Sequence, residues 1–213
     1  LHAGGKFDKR GGEGAYAFSG GLHGVGVSVT NALSRRLEVE VKRDGKVHRI
    51  VFQGGDVAEK LKVIGTCGQR ASGTTVRAHP DPKYFDSPTV SVPELERLLR
   101  AKAVLLPGVT VTLHVEKGGA WKTKTWSYPG GLQDYLQELG EGMVPVVPIF
   151  AGESYLGKPK DGESFAEGEG AAWALAWYED GGAAGESYVN LIPTPSGGTH
   201  EAGFRAGIFD AIN

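Results

Sequence analysis

The chain reads as a mixed α+β protein, a two-layer α/β sandwich in which antiparallel strands are backed by helices on one face. Three observations lead there. Leu37, Val39 and Val41 alternate with Glu38, Glu40 and Lys42 ahead of the tight-turn pair Asp44-Gly45, which marks an antiparallel hairpin with one wet face. A second alternating pair, residues 109–115 and 121–128, repeats that pattern. Between the two, Ser91-Val92-Pro93-Glu94 is a capping box with Pro in the first turn, and Leu95, Leu98, Leu99 and Lys102 carry a helix towards Pro107-Gly108.

The remaining elements follow in order. Residues 1–19 mix Gly4, Gly5, Gly11, Gly12 and Gly14 with Lys6, Asp8, Lys9, Arg10 and Glu13, a composition that predicts a mobile loop. Val25, Val29, Ala32 and Leu33 recur at helical spacing directly after a glycine cluster. The first hairpin returns through residues 47–52, and short strand-like runs follow at 62–64 and 74–78. Leu132, Tyr135, Leu136 and Leu139 mark a short helix. A composition break over residues 140–148 puts a domain boundary near Met143, giving segments 1–143 and 144–213. Within the second, residues 157–170 read as a polar, Gly-rich surface insertion, 172–177 and 187–194 as strands, and Thr199 as the cap of a helix running towards Asn213. No internal repeat is evident.

Composition bounds the function. With 213 residues and 40% hydrophobic content, the chain is long enough to bury about 70% of its unfolded surface. The net charge of −2 gives no basic footprint that would point by itself to DNA or to an anionic membrane. Cys67 is alone, so an internal disulfide is excluded and a reducing cytoplasm fits. No apolar run approaches the roughly 20 residues of a membrane span, and no signal peptide opens the chain.

The chemistry concentrates at Gly20-Gly21-Leu22-His23-Gly24-Val25-Gly26, which sets four glycines in seven positions ahead of a helix. Missing side chains let a ligand reach the backbone, and glycine φ values turn successive N–H groups inward; the helix start adds its dipole. A phosphate is the natural guest. Neither common nucleotide fingerprint fits, because no G-x-x-x-x-G-K-[ST] is present and the cluster follows a loop instead of a strand. A glycine cluster alone is equally well explained by a tight turn.

The surrounding residues weigh for the ligand. Leu1-His2-Ala3-Gly4-Gly5-Lys6-Phe7, Tyr16-Ala17-Phe18-Ser19 and the glycine cluster running on to Val27-Ser28-Val29-Thr30-Asn31-Ala32-Leu33-Ser34 resemble the ATP lid and following helix of bacterial type II topoisomerase B subunits. Further matches come in the same order: Ser72-Gly73-Thr74-Thr75-Val76, Leu105-Leu106-Pro107-Gly108-Val109, Ser187-Tyr188-Val189-Asn190-Leu191-Ile192-Pro193-Thr194, and Gly197-Gly198-Thr199-His200 with Gly203-Phe204-Arg205. The resemblance covers the whole chain. Ala101-Lys102-Ala103-Val104-Leu105 and the Tyr188 to Thr194 run are closer to the topoisomerase IV kind than to DNA gyrase.

That resemblance implies a great deal. The first segment would be the later part of the ATPase fold shared by gyrase, Hsp90, sensor histidine kinases and MutL; the second would begin a transducer domain with a ribosomal-protein-S5-like fold. ATP would be bound by Gly5, Lys6, Tyr16, Gly20, Gly21, Leu22, His23, Gly24, Val25, Gly26 and Thr74, with Mg²⁺ as the companion ion. Lys6 reads alternatively as a solvated loop lysine, Tyr16 as a lid-packing aromatic, and Thr74 as a plain strand threonine. His23 shapes the cradle and contacts nucleotide or lid, without acid–base or metal work. Arg43 is either a residue at the pocket mouth or a solvated hairpin charge. Thr199 and His200 read as a helix start, and Trp121, Trp126, Trp173 and Trp177 as packing aromatics.

No catalytic residue is expected within the chain, because the family's general-base Glu, its Mg²⁺-holding Asn and its adenine-reading Asp precede the lid motif, upstream of Leu1. The transducer's phosphate-reaching Lys and Gln are expected after Asn213. The whole protein is expected to bind DNA, to pair with a topoisomerase A subunit and to dimerise on ATP, away from any membrane; the chain alone is expected to turn over negligible ATP. A noncatalytic interaction module that keeps the fold is the alternative from another class, and gyrase the alternative within the family.

Overall fold

The computed structural model describes residues 24–87, 89–160, 162, 166–179, 182 and 185–212. The expected lid at 1–19 and the cradle residues before Gly24 lie outside them. The chain divides into two units, residues 1–90 and 91–213, so the boundary expected near Met143 falls within the second unit.

In the first unit, α1 (Gly26–Ala32) leads into β1 (Ser34–Arg43), followed by β2 (Lys46–Gln53), β3 (Asp56–Thr66) and β4 (Gly73–Pro80). They form one antiparallel sheet in the order β3-β2-β1-β4. The first turn is the one the sequence announces: Asp44 and Gly45 sit at φ 51° and 74°, the left-handed pair that matches the twist of a two-residue hairpin. Pairing sets Leu37 opposite Phe52 and Ala78, Val39 opposite Ile50 and Val76, and Val41 opposite His48 and Thr74. This is the apolar face, and α1 packs against β1 and β4. On this face Leu37 is fully buried and Phe52 nearly so, while Val51, opposite Glu38, is fully buried on the other face.

Charges occupy the other face. Arg36 pairs with Glu38 at 2.7 Å, Arg49 with Glu59 at 3.3 Å and Arg77 with Glu40 at 3.2 Å. Such partly exposed pairs hold side chains in register and contribute little stability each. β3 is much longer than the run expected at 62–64. Its pairing with β2 slips between Val47 and His48, between Arg49 and Val51, and between Val51 and Phe52; each slip breaks the strict alternation by which a strand is read from sequence.

In the second unit, α2 (Val92–Leu105) packs on the hairpin of β5 (Thr110–Lys117) and β6 (Ala120–Ser127) and touches α3 (Leu132–Leu139). Its core is Ala103, Val104, Tyr128 and Tyr135, against which Val111, Trp126 and Leu132 pack. Leu132 and Tyr135 thus face inward as the helical spacing predicts. The capping box at Ser91 is a correction: the Ser91 side chain makes no capping bond, and the helix opens with the Leu95 N–H donating to the Ser91 carbonyl at 3.0 Å.

β7 (Phe150–Tyr155) pairs antiparallel with β8 (Gly170–Leu175). Trp173 lies between Phe150 and Phe204, with ring centroids 6.4 and 5.9 Å away. The run at 187–194 is two short strands, β9 (Tyr188–Val189) and β10 (Ile192–Pro193), folded back at Asn190, whose φ is 53°. Asn tolerates that left-handed turn better than any neighbour in the run. α4 (Thr199–Ile212) closes the described chain, with Thr199 as its first residue instead of its cap.

Candidate nucleotide site

Of the expected site residues, the described chain holds Gly24, Val25, Gly26 and Thr74, all in the first unit. Gly5, Lys6, Tyr16, Gly20, Gly21, Leu22 and His23 lie outside it.

Gly24 is buried at φ 68°, a conformation that L side chains rarely adopt. Val25 follows as the helix cap at φ −106°, with no side-chain capping bond and no acidic residue in the first turn. The first helical bond runs from the Val29 N–H to the Val25 carbonyl at 2.9 Å. The amides of Gly26, Val27 and Ser28 therefore precede any helical acceptor, and the helix start carries their partial positive charge with no carboxylate in its own first turn. A Cβ added to Gly26 would meet nothing within 4 Å among the described residues, so their packing does not require a glycine there. These features fit a bound phosphate oxygen.

Thr74 lies on the apolar face, paired with Val41 and two residues from Val76. All of β4 is exposed, so the hydroxyl stands on an open floor. Arg43 ends β1, its Nε 3.5 Å from Asp44 Oδ2, with both side chains largely exposed. Among the described residues no cluster of three or more potential metal ligands exists, so no Mg²⁺ ligand is assigned.

The second unit holds a different cluster. The Tyr128 hydroxyl donates to Glu138 Oε2 at 2.7 Å, the Tyr135 hydroxyl to Glu186 Oε1 at 3.3 Å, and the Tyr188 hydroxyl to Glu186 Oε2. The Tyr128 and Tyr135 rings meet edge to face at 5.7 Å, and the Arg100 guanidinium stands 5.1 Å from the Tyr135 ring centre. Burial raises all three phenol pKa values, with the neighbouring Glu138 or Glu186 adding to it. Lys102 Nζ also donates to the Leu191 carbonyl. Such neutral phenols tie segments together and offer no general base.

Nearby, α2, residues 185–198 and α4 border an open cleft of about 660 Å³, with Arg97 and Arg205 among its walls. Glu201 accepts from Arg205 at 2.8 and 3.0 Å and from Ser187 at 3.1 Å, which holds its carboxyl below the usual range. His200 Nε2 lies 3.3 Å from Thr194 Oγ1, an arrangement at a helix start. Sequence reading missed Asn31, buried on α1, and the Tyr135–Glu186–Tyr188 group. A lone amide among the apolar positions of the helix was the available signal for Asn31; nothing local links Glu186 to Tyr135.

Comparison with known proteins adds a class. The DNA gyrase B family model matches residues 131–213. Over its whole length the chain is 49% identical to the B subunit of DNA topoisomerase 4 from Salmonella typhimurium and 48% identical to that of Escherichia coli K12, and in each case it spans 31% of the relative's length. In structure it is similar to the topoisomerase IV ATP-binding domain of Francisella tularensis, solved with a small-molecule inhibitor, with a TM-score of 0.65, 38% identity, and coverage of 91% of this chain and 50% of that one. The 43K ATPase domain of Thermus thermophilus gyrase B, solved with an aminocoumarin, gives a TM-score of 0.69 at 31% identity, covering 86% of this chain and 47% of that one. Along its whole length the chain is similar to type II topoisomerase B subunits. The relatives at 48–49% identity are topoisomerase IV B subunits, and the α+β fold is that of the Francisella tularensis topoisomerase IV ATP-binding domain.

Proposed function

We propose that the chain is the ATP-binding portion of an ATP-dependent type II DNA topoisomerase of the topoisomerase IV kind. The supporting observation is similarity along all 213 residues to topoisomerase IV B subunits, joined to a helix start that, among the described residues, has no side-chain cap and no acidic residue in its first turn. On this reading Gly20, Gly21, Leu22, His23, Gly24, Val25 and Gly26 wrap the phosphates, Gly5 and Lys6 close over them from the lid, Tyr16 borders the purine and Thr74 forms the pocket floor. Residues 1–143 serve the ATPase domain and 144–213 the transducer. The water-activating glutamate, the Mg²⁺-holding asparagine and the adenine-reading aspartate belong to other parts of the whole protein, so the 213 residues alone bind nucleotide weakly and do not turn it over.

The cycle follows from differential affinity. ATP binds better to a closed, lid-down dimer than to the open state, and that difference alone biases the equilibrium towards closure. Two B subunits joined to A subunits in the bacterial cytoplasm would then capture one DNA duplex and pass it through another. The test is strand passage by the protein carried to the length of its relatives and assembled with its A subunit: separation of interlinked DNA circles that requires ATP is expected. Strand passage that proceeds without nucleotide, or none at all, overturns the proposal, and ATP-driven supercoiling in its place assigns the chain to the gyrase kind.

A further inference from the structure

We infer that Asn31 is a positioning residue for the nucleotide site: it fixes α1, and with it the glycine-led turn at residues 24–26, to the β2–β3 turn at Gly54-Gly55. The inference rests on the nucleotide reading above and extends it to a residue outside the cradle.

The first observation is that α1 cannot hold itself. It has seven residues and no side-chain cap at its start, well short of the length at which a helix is stable alone. Its position must come from tertiary anchors, and the hydrogen-bonded ones among the described residues lie at its C-terminal end. The Ser34 hydroxyl donates to the Thr30 carbonyl at 2.7 Å, the Asp81 N–H donates to the Leu33 carbonyl at 2.9 Å, and Asn31 Nδ2 donates to the Gly55 carbonyl at 2.9 Å. The first two secure the exit of the helix into β1. Only the third, among the described residues, ties a side chain of the helix itself to a distant element.

The second observation is the chemistry of that anchor. Asn31 is 6% exposed, and its Oδ1 is buried without a partner among the described residues. A buried acceptor left unpaired costs about 1–3 kcal/mol, so stability alone would favour leucine of similar size at this position. What asparagine supplies, and leucine does not, is a directional bond. Its acceptor sits in a turn set by Gly54 at φ 58° and Gly55 at φ 95°, and the Gly54 N–H is itself bonded to the Arg35 carbonyl at 3.1 Å. The turn is thus a fixed post, and the amide is the strut from it to the helix that begins at the cradle. Loss of the strut leaves the two-turn helix free to pivot about its exit, and its first amides move furthest.

Asn31→Leu separates this role from folding. Gly55 is half-buried, so its carbonyl turns to water when the donor is removed, and the melting temperature is expected to stay near the native value. In the protein carried to the length of its relatives, the affinity for a nonhydrolysable ATP analogue is expected to fall on the order of tenfold, while the affinity for adenosine, which has no phosphates to seat, stays within twofold. Amide hydrogen exchange at Val29 and Leu33 is expected to quicken with exchange in β1 unchanged. Gly55→Ala, which strains the turn at positive φ without meeting any atom, should reproduce the effect, and the double variant should be no worse than either single one. Equal affinity of native and Asn31→Leu protein for the ATP analogue, or unchanged exchange in α1, overturns the inference. If native protein binds no nucleotide while exchange in α1 still quickens, the nucleotide reading falls and Asn31 is reduced to a structural strut.

Discussion

Tyr128 makes the stability of the second unit depend on alkaline pH in a way one substitution can isolate. Its side chain is 4% exposed, its hydroxyl donates to Glu138 at 2.7 Å, and burial first and that bond second raise its pKa above the ordinary phenol value of 10.0. Below pH 10 both folded and unfolded chains carry the neutral phenol, and stability is complete. Above it the unfolded chain releases the proton while the fold retains it, so stability falls as pH rises, by about 1.4 kcal/mol per pH unit from this group. Tyr128→Phe removes the titration and one hydrogen bond; Glu138 is exposed and regains water, so the cost at neutral pH is about 1 kcal/mol. The two stability curves should cross between about pH 10.5 and 11, where the native loss overtakes the fixed cost of the variant. Urea unfolding at a series of pH values, followed by tryptophan fluorescence, reads this directly. A stability difference that stays constant from neutral pH to pH 11 would mean that the fold does not hold the Tyr128 proton.

Other outcomes follow from the first unit. Leu37→Ala removes a fully buried side chain between Phe52 and Ala78 and should cost about 2–5 kcal/mol in urea unfolding; a loss under about 1 kcal/mol would mean that the central strand is not the core. On the acid side, the Arg36 hydrogen bond holds the Glu38 carboxyl low and the Lys62 hydrogen bond does the same for Glu59. Their contribution is complete above the ordinary carboxylate range and is lost as pH falls through the lowered values, so Glu38→Gln should flatten the acid limb of the unfolding midpoint against pH. Thr74→Val, which keeps the shape and removes the hydroxyl, should weaken binding of an ATP analogue roughly fivefold in the protein carried to its relatives' length; unchanged binding in calorimetry removes Thr74 from the site.

The parts of the fold legible in the sequence are those fixed by local rules. Asp44-Gly45 dictates its turn, strict alternation marks β1, β5 and β6, and the spacing of Leu132 and Tyr135 gives the buried face of α3. Where geometry is set by partners, the sequence is silent. β3 hides its length behind register slips, β9 and β10 are separated by a two-residue turn whose left-handed Asn190 local propensity does not announce, and Ser91 fits a capping box whose bond is not made. The site divides the same way. Glycines at 24 and 26 announce an open helix start because only they leave the backbone bare, whereas Asn31 matters through Gly55, 24 residues further on, and Glu186 through Tyr135, 51 residues back. Contacts of that span leave no periodic trace.

The decisive measurement is calorimetric titration of a nonhydrolysable ATP analogue with Mg²⁺ into the 213-residue chain and into the protein carried to the length of its topoisomerase IV relatives. On the proposed reading, in which the cradle supplies phosphate contacts and adenine is read elsewhere in the whole protein, saturable binding is expected in the longer protein and weak or undetectable binding in the shorter one. Equal affinity in both, or no binding in either, would contradict the nucleotide role of the cradle.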